Sequence, residues 1–237
     1  MSVDPRSRHA GGDRAIYTWA AVVALLVVFA GFSRTFFLKG AFGTPELTTL
    51  VLVHGIVMTL WFSLFLVQAR LVASGRTDLH RRLGIFGGLL AVSVVIVGVT
   101  VAISGARLGH SPGPPPLVFL GIPLFDMLIF ACLVSTALYF RQRPEIHKRL
   151  MLLANLSILT AAIARIPVAF IHDGGLMMYF GLKILLIILF VVYDSLRNRR
   201  LHPAFGWGAA FVIISLPLRL WVIGTPTWMR FATWLVK

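Results

Sequence analysis

Apolar residues in this chain come in long unbroken blocks, without the alternation of strands or the narrow stripe of a surface helix. Seven blocks stand out: Ile16–Leu38, Leu47–Ala73, Leu83–Ser104, Leu117–Phe140, His147–Ile171, Leu176–Leu196 and Phe205–Ile223. Each approximates the ~20 residues a helix needs to cross ~30 Å of hydrocarbon. Period-two alternation is nowhere sustained, which argues against a β-barrel. Turn chemistry separates the blocks: Lys39-Gly40, Ser74-Gly75, the Gly/Pro-rich run from Gly109 to Pro116, Pro144, Asp173-Gly174-Gly175 and Pro203. The pattern predicts an all-α, polytopic transmembrane helix bundle of about seven spans. It divides into a basic tail over residues 1–15, a single transmembrane domain over 16–223 and a short interfacial segment over 224–237. Trp228, Arg230 and Trp234 suit that last segment to lying at a membrane surface.

Composition strengthens this reading. Of 237 residues, 58% are hydrophobic and the mean hydropathy is +0.89, more apolar sequence than a soluble interior of this size can hide. The net charge is +14, with 22 Lys and Arg against 8 Asp and Glu. The basic residues sit mostly at block ends, and no basic soluble module is available to hold nucleic acid. Fourteen of them, including Arg70, Arg76, Arg81, Arg82, Arg141, Arg143, Lys148, Arg149 and Arg197, fall on one side. The other side has five: Arg34, Lys39, Arg107, Arg230 and Lys237. By the positive-inside rule, the N-terminus is expected in the cytoplasm and the C-terminus outside. Residues 1–30 also resemble a cleavable signal peptide with Val28 and Ala30 near the cleavage site, although the apolar block is long for one. The single cysteine, Cys132, excludes an internal disulfide and cysteine-pair redox or metal motifs.

A repeat appears at an offset of 67 residues. Asp78-Leu79-His80-Arg81-Arg82-Leu83 recurs as Glu145-Ile146-His147-Lys148-Arg149-Leu150, and Arg200-Leu201-His202-Pro203 is a weaker echo. The chain therefore reads as one leading helix plus three hairpins related by parallel repetition. The carboxylates suit a first helical turn, and the arginines suit an interface. His80, His147 and His202 fall at one membrane level, where they are either interfacial anchors or candidate haem or metal ligands.

Charges inside spans tend to face the bundle interior or a wet cavity. At ~1.5 Å per residue, His54, Lys183 and Arg165 lie about 10 Å from the outer surface, and Asp126 lies somewhat deeper. Arg219, about 6 Å from its outer end, is near enough to snorkel. Pro123 is expected to loosen the helix carrying Asp126. His54, Asp126, Arg165, Lys183 and Arg219 thus form a candidate outward-facing polar layer. One reading makes it structural, with Asp126 paired to Arg165 or Lys183. The other makes it a pocket for a small anionic or quinone-like guest, with His54 and Asp126 exchanging protons. Helical phase also groups His147 with Arg165 and His172, and Tyr179 with Lys183 and Asp194.

The run from Arg143 to Ala154, followed by Ala164-Arg165, and the set His54-Gly55, Trp61, Gln68 and Gly75-Arg76 to Gly84 resemble a group of multi-pass bacterial inner-membrane proteins. These are classed as domains of unknown function, and some are distantly similar to haem-handling or oxidase-maturation membrane proteins. The resemblance covers roughly residues 46–170 and implies a multi-pass protein of the bacterial inner membrane with no agreed substrate. One haem b held by His54 and His172 is a candidate cofactor arrangement. Three functions stay open: solute binding or transport, a haem- or quinone-linked redox protein, and a scaffold for a membrane complex or homo-oligomer. Ala154, Ala161 and Ala162 would supply helix faces for the scaffold. No nucleophile elbow, phosphate-cradling loop or zinc signature points to hydrolytic chemistry.

Overall fold

A computed structural model describes the backbone from Pro5 and the side chains from Ala15 to the C-terminus. The arginines of the basic tail therefore lie outside the described side chains, although the backbone from Pro5 is continuous with the first helix. Seven helices are long and apolar enough to cross a membrane, and the described residues include no strand. We number them as spans in chain order: Ala15–Phe37, Thr49–Ala73, Thr77–Arg107, Pro116–Tyr139, Pro144–Ile163, Gly175–Asn198 and Pro203–Ile223. The chain is a multi-pass membrane protein of all-α architecture.

Local sequence sets the helix ends. The Thr48 hydroxyl accepts from the Val51 amide at 3.4 Å and caps the second span. Proline occupies the first turn of the fourth, fifth and seventh spans, where its missing N–H costs no helical bond. Between the second and third spans the chain reverses over Ser74, Gly75 and Arg76; Gly75 has φ +78°, which a side chain would resist. The third span begins earlier than hydropathy predicts, because Asp78 and His80 join the helix despite their polarity. Pro123 has no N–H to bond the Phe119 carbonyl, and the fourth span is interrupted there as expected: one short helix ends at Phe119, Leu120 is a turn residue, and the helix resumes at Gly121.

The fifth span organises the bundle. Some 72% of its apolar window is buried, against 11% for the second span, so one helix is a core element and the other faces outward. The first, fourth, sixth and seventh spans all pack on the fifth, while the second and third pair with each other and complete the outer ring. Lipid-facing surfaces are equally clear. Ile85, Leu89, Val92 and Ile96 recur at helical spacing on the third span and are all exposed, as expected of a face solvated by acyl chains. Ala154 and Ala162, expected on a partner-facing surface, are instead buried within this bundle; only Ala161 is exposed. After the seventh span a short helix, Pro226–Leu235, packs back through Trp228, whose Nε1 donates to the Leu117 carbonyl at 2.9 Å.

The fifth span is not continuous. Its main helix, Pro144–Ser157, ends mid-bundle, and a single turn, Thr160–Ile163, follows. Non-helical backbone at membrane depth is tolerated where protein buries it or where it lines a cavity. Ser157, Ile158, Leu159 and Thr160 are all buried. The predicted extension to Ile171 does not form: the chain leaves the helix after Ile163 and re-coils only over Ala169–Asp173.

Candidate functional site

Asp126 from the fourth span, Lys183 from the sixth and Arg219 from the seventh converge in the half of the bundle away from the basic loops. Arg219 Nη1 donates to Asp126 Oδ1 at 2.7 Å, and Lys183 Nζ lies 3.5 Å from the same oxygen. Lys183 and Arg219 are 0% exposed and Asp126 is 7% exposed. Each isolated charge at bilayer depth costs at least ~2.5–3.5 kcal/mol on insertion scales, so three such residues on separate spans have strong reason to meet.

One carboxylate cannot balance two cations, and the interrupted fifth span supplies the remainder. Lys183 Nζ donates to the carbonyl of Ser157 at 3.2 Å. Ser157 is the last residue of its helix, where carbonyls lack intrahelical partners and carry the negative end of the helix dipole. Aromatic faces complete the enclosure. Phe180 receives both Lys183 and Arg219, at 5.2 and 5.6 Å from its ring centroid, and Phe125 lies 5.8 Å from the Arg219 guanidinium. Arg219 Nη2 reaches Ser215 Oγ at 3.3 Å, but its buried Nε–H finds no hydrogen-bond acceptor among the described residues. The cluster retains formal positive charge and one unmet donor.

Two members of the expected polar layer lie apart. Arg165 falls beyond the helical end of the fifth span; it is exposed, donates to the Ala161 carbonyl at 3.0 Å and stacks over Phe32. Neither ion pairs nor hydrogen bonds connect His54 to the cluster, and its buried Nδ1 has no partner among the described residues. Arg219, expected to snorkel, is the most intimate partner of Asp126. The helical phase linking His147, Arg165 and His172 is lost where the helix is interrupted after Ser157 and again ends after Ile163. His172 is exposed on the short helix after the fifth span, with its carbonyl accepting from Tyr179.

A second ionic cluster lies at the basic end, one that sequence reasoning divided among separate roles. Arg149 donates through Nε and Nη2 to the two oxygens of Asp194, at 2.9 and 3.0 Å. Its Nη1 reaches Glu145 at 2.6 Å, and the Tyr17 hydroxyl donates to Asp194 at 3.4 Å. Arg149 and Asp194 are 1% and 2% exposed. The available signals were the Glu145–Arg149 spacing of four and the lone acid of the sixth span. Counting Arg149 among the interfacial anchors concealed both. Lys183 and Asp194 stand three turns apart on one helix, so the fifth and sixth spans are tied at two levels about 16 Å apart.

The repeated histidines meet in part. The rings of His80 and His147 lie 6.3 Å apart between centroids, edge to face. His147 Nδ1 donates to the Ala137 carbonyl at 2.8 Å, which leaves Nε2 as the acceptor of the neutral ring. Gln68 Nε2 donates to the His80 carbonyl at 3.2 Å and ties the second span to the third. His202 caps the seventh span, its Nδ1 accepting from the Ala204 amide at 3.2 Å. Burial and then the nearby Arg149 guanidinium hold its imidazole below the ordinary histidine value, which favours the unprotonated ring that the cap requires. Among the described residues no three His, Cys, Asp or Glu side chains group as a metal site.

Fold and site together define a polytopic helical membrane protein with a buried, positively charged ion cluster beside an interrupted span. No family model matches the chain, and neither a curated protein nor a solved structure matches it.

Proposed function

We propose that this protein binds a small anionic solute at the Asp126–Lys183–Arg219 cluster and moves it across the bilayer, the conformation described being closed around the site. The carrying observation is a buried cluster of two cations and one carboxylate whose Arg219 Nε–H has no acceptor among the described residues. An unmet buried donor costs about 1–3 kcal/mol, which an anion accepting from it would recover. The interrupted fifth span supports the reading, since transport sites recur where broken helices present backbone groups at membrane depth. The Lys and Arg bias supports a cytoplasmic N-terminus, which would place the site in the outer half.

Lys183→Met is the decisive variant. It removes one cation, leaves the Asp126–Arg219 pair neutral and preserves the bulk of the side chain, so the bundle should still insert and fold. Vesicles containing purified wild-type protein are tested for uptake of chloride, nitrate, formate and acetate. Wild type should carry at least one of them well above protein-free vesicles, and Lys183→Met should carry less than a tenth as much while remaining monodisperse in detergent. Equal uptake by the two proteins, or no uptake above protein-free vesicles, refutes the proposal.

A further inference from the structure

The outer flank of the first and second spans carries a feature that the ion cluster does not use. An open groove of about 470 Å³ runs between them, walled by Thr18, Trp19, Val22, Leu66 and Arg70. Around Arg70 it meets a second depression of about 390 Å³ that extends to Ser74 and Arg76. The groove is graded in chemistry. Its inner part is aliphatic, Trp19 stands 66% exposed on one wall, and the exposed guanidiniums of Arg70 and Arg76 gather where the second span ends. Among the described residues neither arginine has a carboxylate partner, whereas Lys39, Lys148, Arg149, Lys183 and Arg219 all do.

We infer that this groove is a binding site for an anionic membrane phospholipid. The headgroup phosphate would sit between Arg70 and Arg76, Trp19 would lie beside the glycerol level, and one acyl chain would follow Val22 and Leu66. Charge complementarity selects the occupant. A cleft that opens sideways at the basic end of the bundle, apolar within and doubly cationic at its mouth, matches an amphipath with a negative head. A guanidinium pair offers phosphate several directed donors, which a zwitterionic headgroup uses less well because its own cation is repelled. Tryptophan at such a level is the usual interfacial anchor and here doubles as a wall of the site.

The test uses the full chain in nanodiscs of phosphatidylcholine doped with equal fractions of bromo-acyl phosphatidylglycerol or bromo-acyl phosphatidylcholine. The signal is the emission quenched at Trp19, taken as wild type minus Trp19→Phe. Brominated phosphatidylglycerol should quench Trp19 more strongly at every dose. Arg70→Gln and Arg76→Gln should each weaken its apparent affinity roughly fivefold, the gain expected for one basic side chain at an anionic surface. Arg81→Gln with Arg82→Gln, an exposed pair outside the groove, should leave the preference unchanged. Equal quenching by the two lipids in wild type overturns the inference, and so does an Arg81/Arg82 loss as large as the Arg70/Arg76 loss. Complete displacement of the phosphatidylglycerol effect by inorganic phosphate would also overturn it, by showing a site for the free anion.

Discussion

Replacing Arg149 with methionine would strand Asp194 as a carboxylate 2% exposed, served among the described residues only by the Tyr17 hydroxyl at 3.4 Å. Wild-type Arg149 supplies two near-ideal charge-assisted bonds to that carboxylate, at 2.9 and 3.0 Å. Breaking a buried pair from one side costs about 3–5 kcal/mol, because the surviving charge keeps its desolvation penalty and loses its attraction. The unfolded chain in a membrane also finds polar partners, so the lower end of that range applies here. The chain carries its own control: Arg82 occupies the same place in the repeated hexapeptide but is exposed, and Arg82→Met should cost no more than about 0.5 kcal/mol. Removing both charges, with Arg149→Met and Asp194→Leu together, should recover most of the loss, since a buried ion pair is often replaceable by apolar side chains. Glu145, left without Arg149, keeps Lys148 at 2.9 Å and a side chain 59% exposed, so it adds little. Unfolding of the purified protein in mixed micelles of increasing denaturing detergent would measure all three variants. If Arg149→Met is no worse than Arg82→Met, or if the double variant falls further than the single, the pair does not act as described.

Gly31→Ala should destabilise by about 1–3 kcal/mol, because its new Cβ would collide with the backbone carbonyl of Ala162 on the fifth span. Gly40→Ala, where no atom of the described residues lies within 4 Å, should be nearly silent in the same detergent-unfolding assay. The His202 cap should contribute about 1 kcal/mol above the ordinary histidine value of ~6.5. Because folding lowers that value, the unfolded chain takes up the proton first, and the contribution declines as pH falls below ~6.5 through the lowered value. His202→Asn should keep the cap and remove this pH dependence, which melts between about pH 7.5 and 5.5 would reveal. Cys132 is exposed on the lipid side of the fourth span, so a charged maleimide should fail to label it in intact membranes and succeed after denaturation. Ready labelling in intact vesicles would place that face in water.

Most of the architecture was legible in the sequence because transmembrane helices answer to one dominant force. A block of apolar residues long enough to cross hydrocarbon must satisfy its backbone internally, and only a helix does so within one segment. That logic located all seven spans and the short helix after Pro226. It failed at the fifth span, where hydropathy continues to Ile171 while the helix stops at Ile163. Hydropathy records how readily a residue enters a greasy environment and does not distinguish lipid from protein interior. In a central span, neighbouring helices can satisfy a broken backbone. Asp126 and Lys183 were legible as partners because each is expensive alone in the membrane. Arg219 was misjudged because depth along one helix is silent about which way the helix faces.

The two hexapeptides mark the boundary between these kinds of knowledge. Sequence alone determined that both Asp78-to-Leu83 and Glu145-to-Leu150 open a helix at the basic end of a span, through their carboxylates, basic residues and following apolar run. Only the tertiary structure decided that Arg82 is exposed while Arg149 is buried against Asp194, and that the equivalent histidines meet. The difference is position in the bundle: the third span lies on the rim with one face open, whereas the fifth is surrounded by four others. Helix formation is written within about twenty consecutive residues. The partner of a buried charge is set by which distant spans share its depth and face it, and no local stretch of chain contains that information.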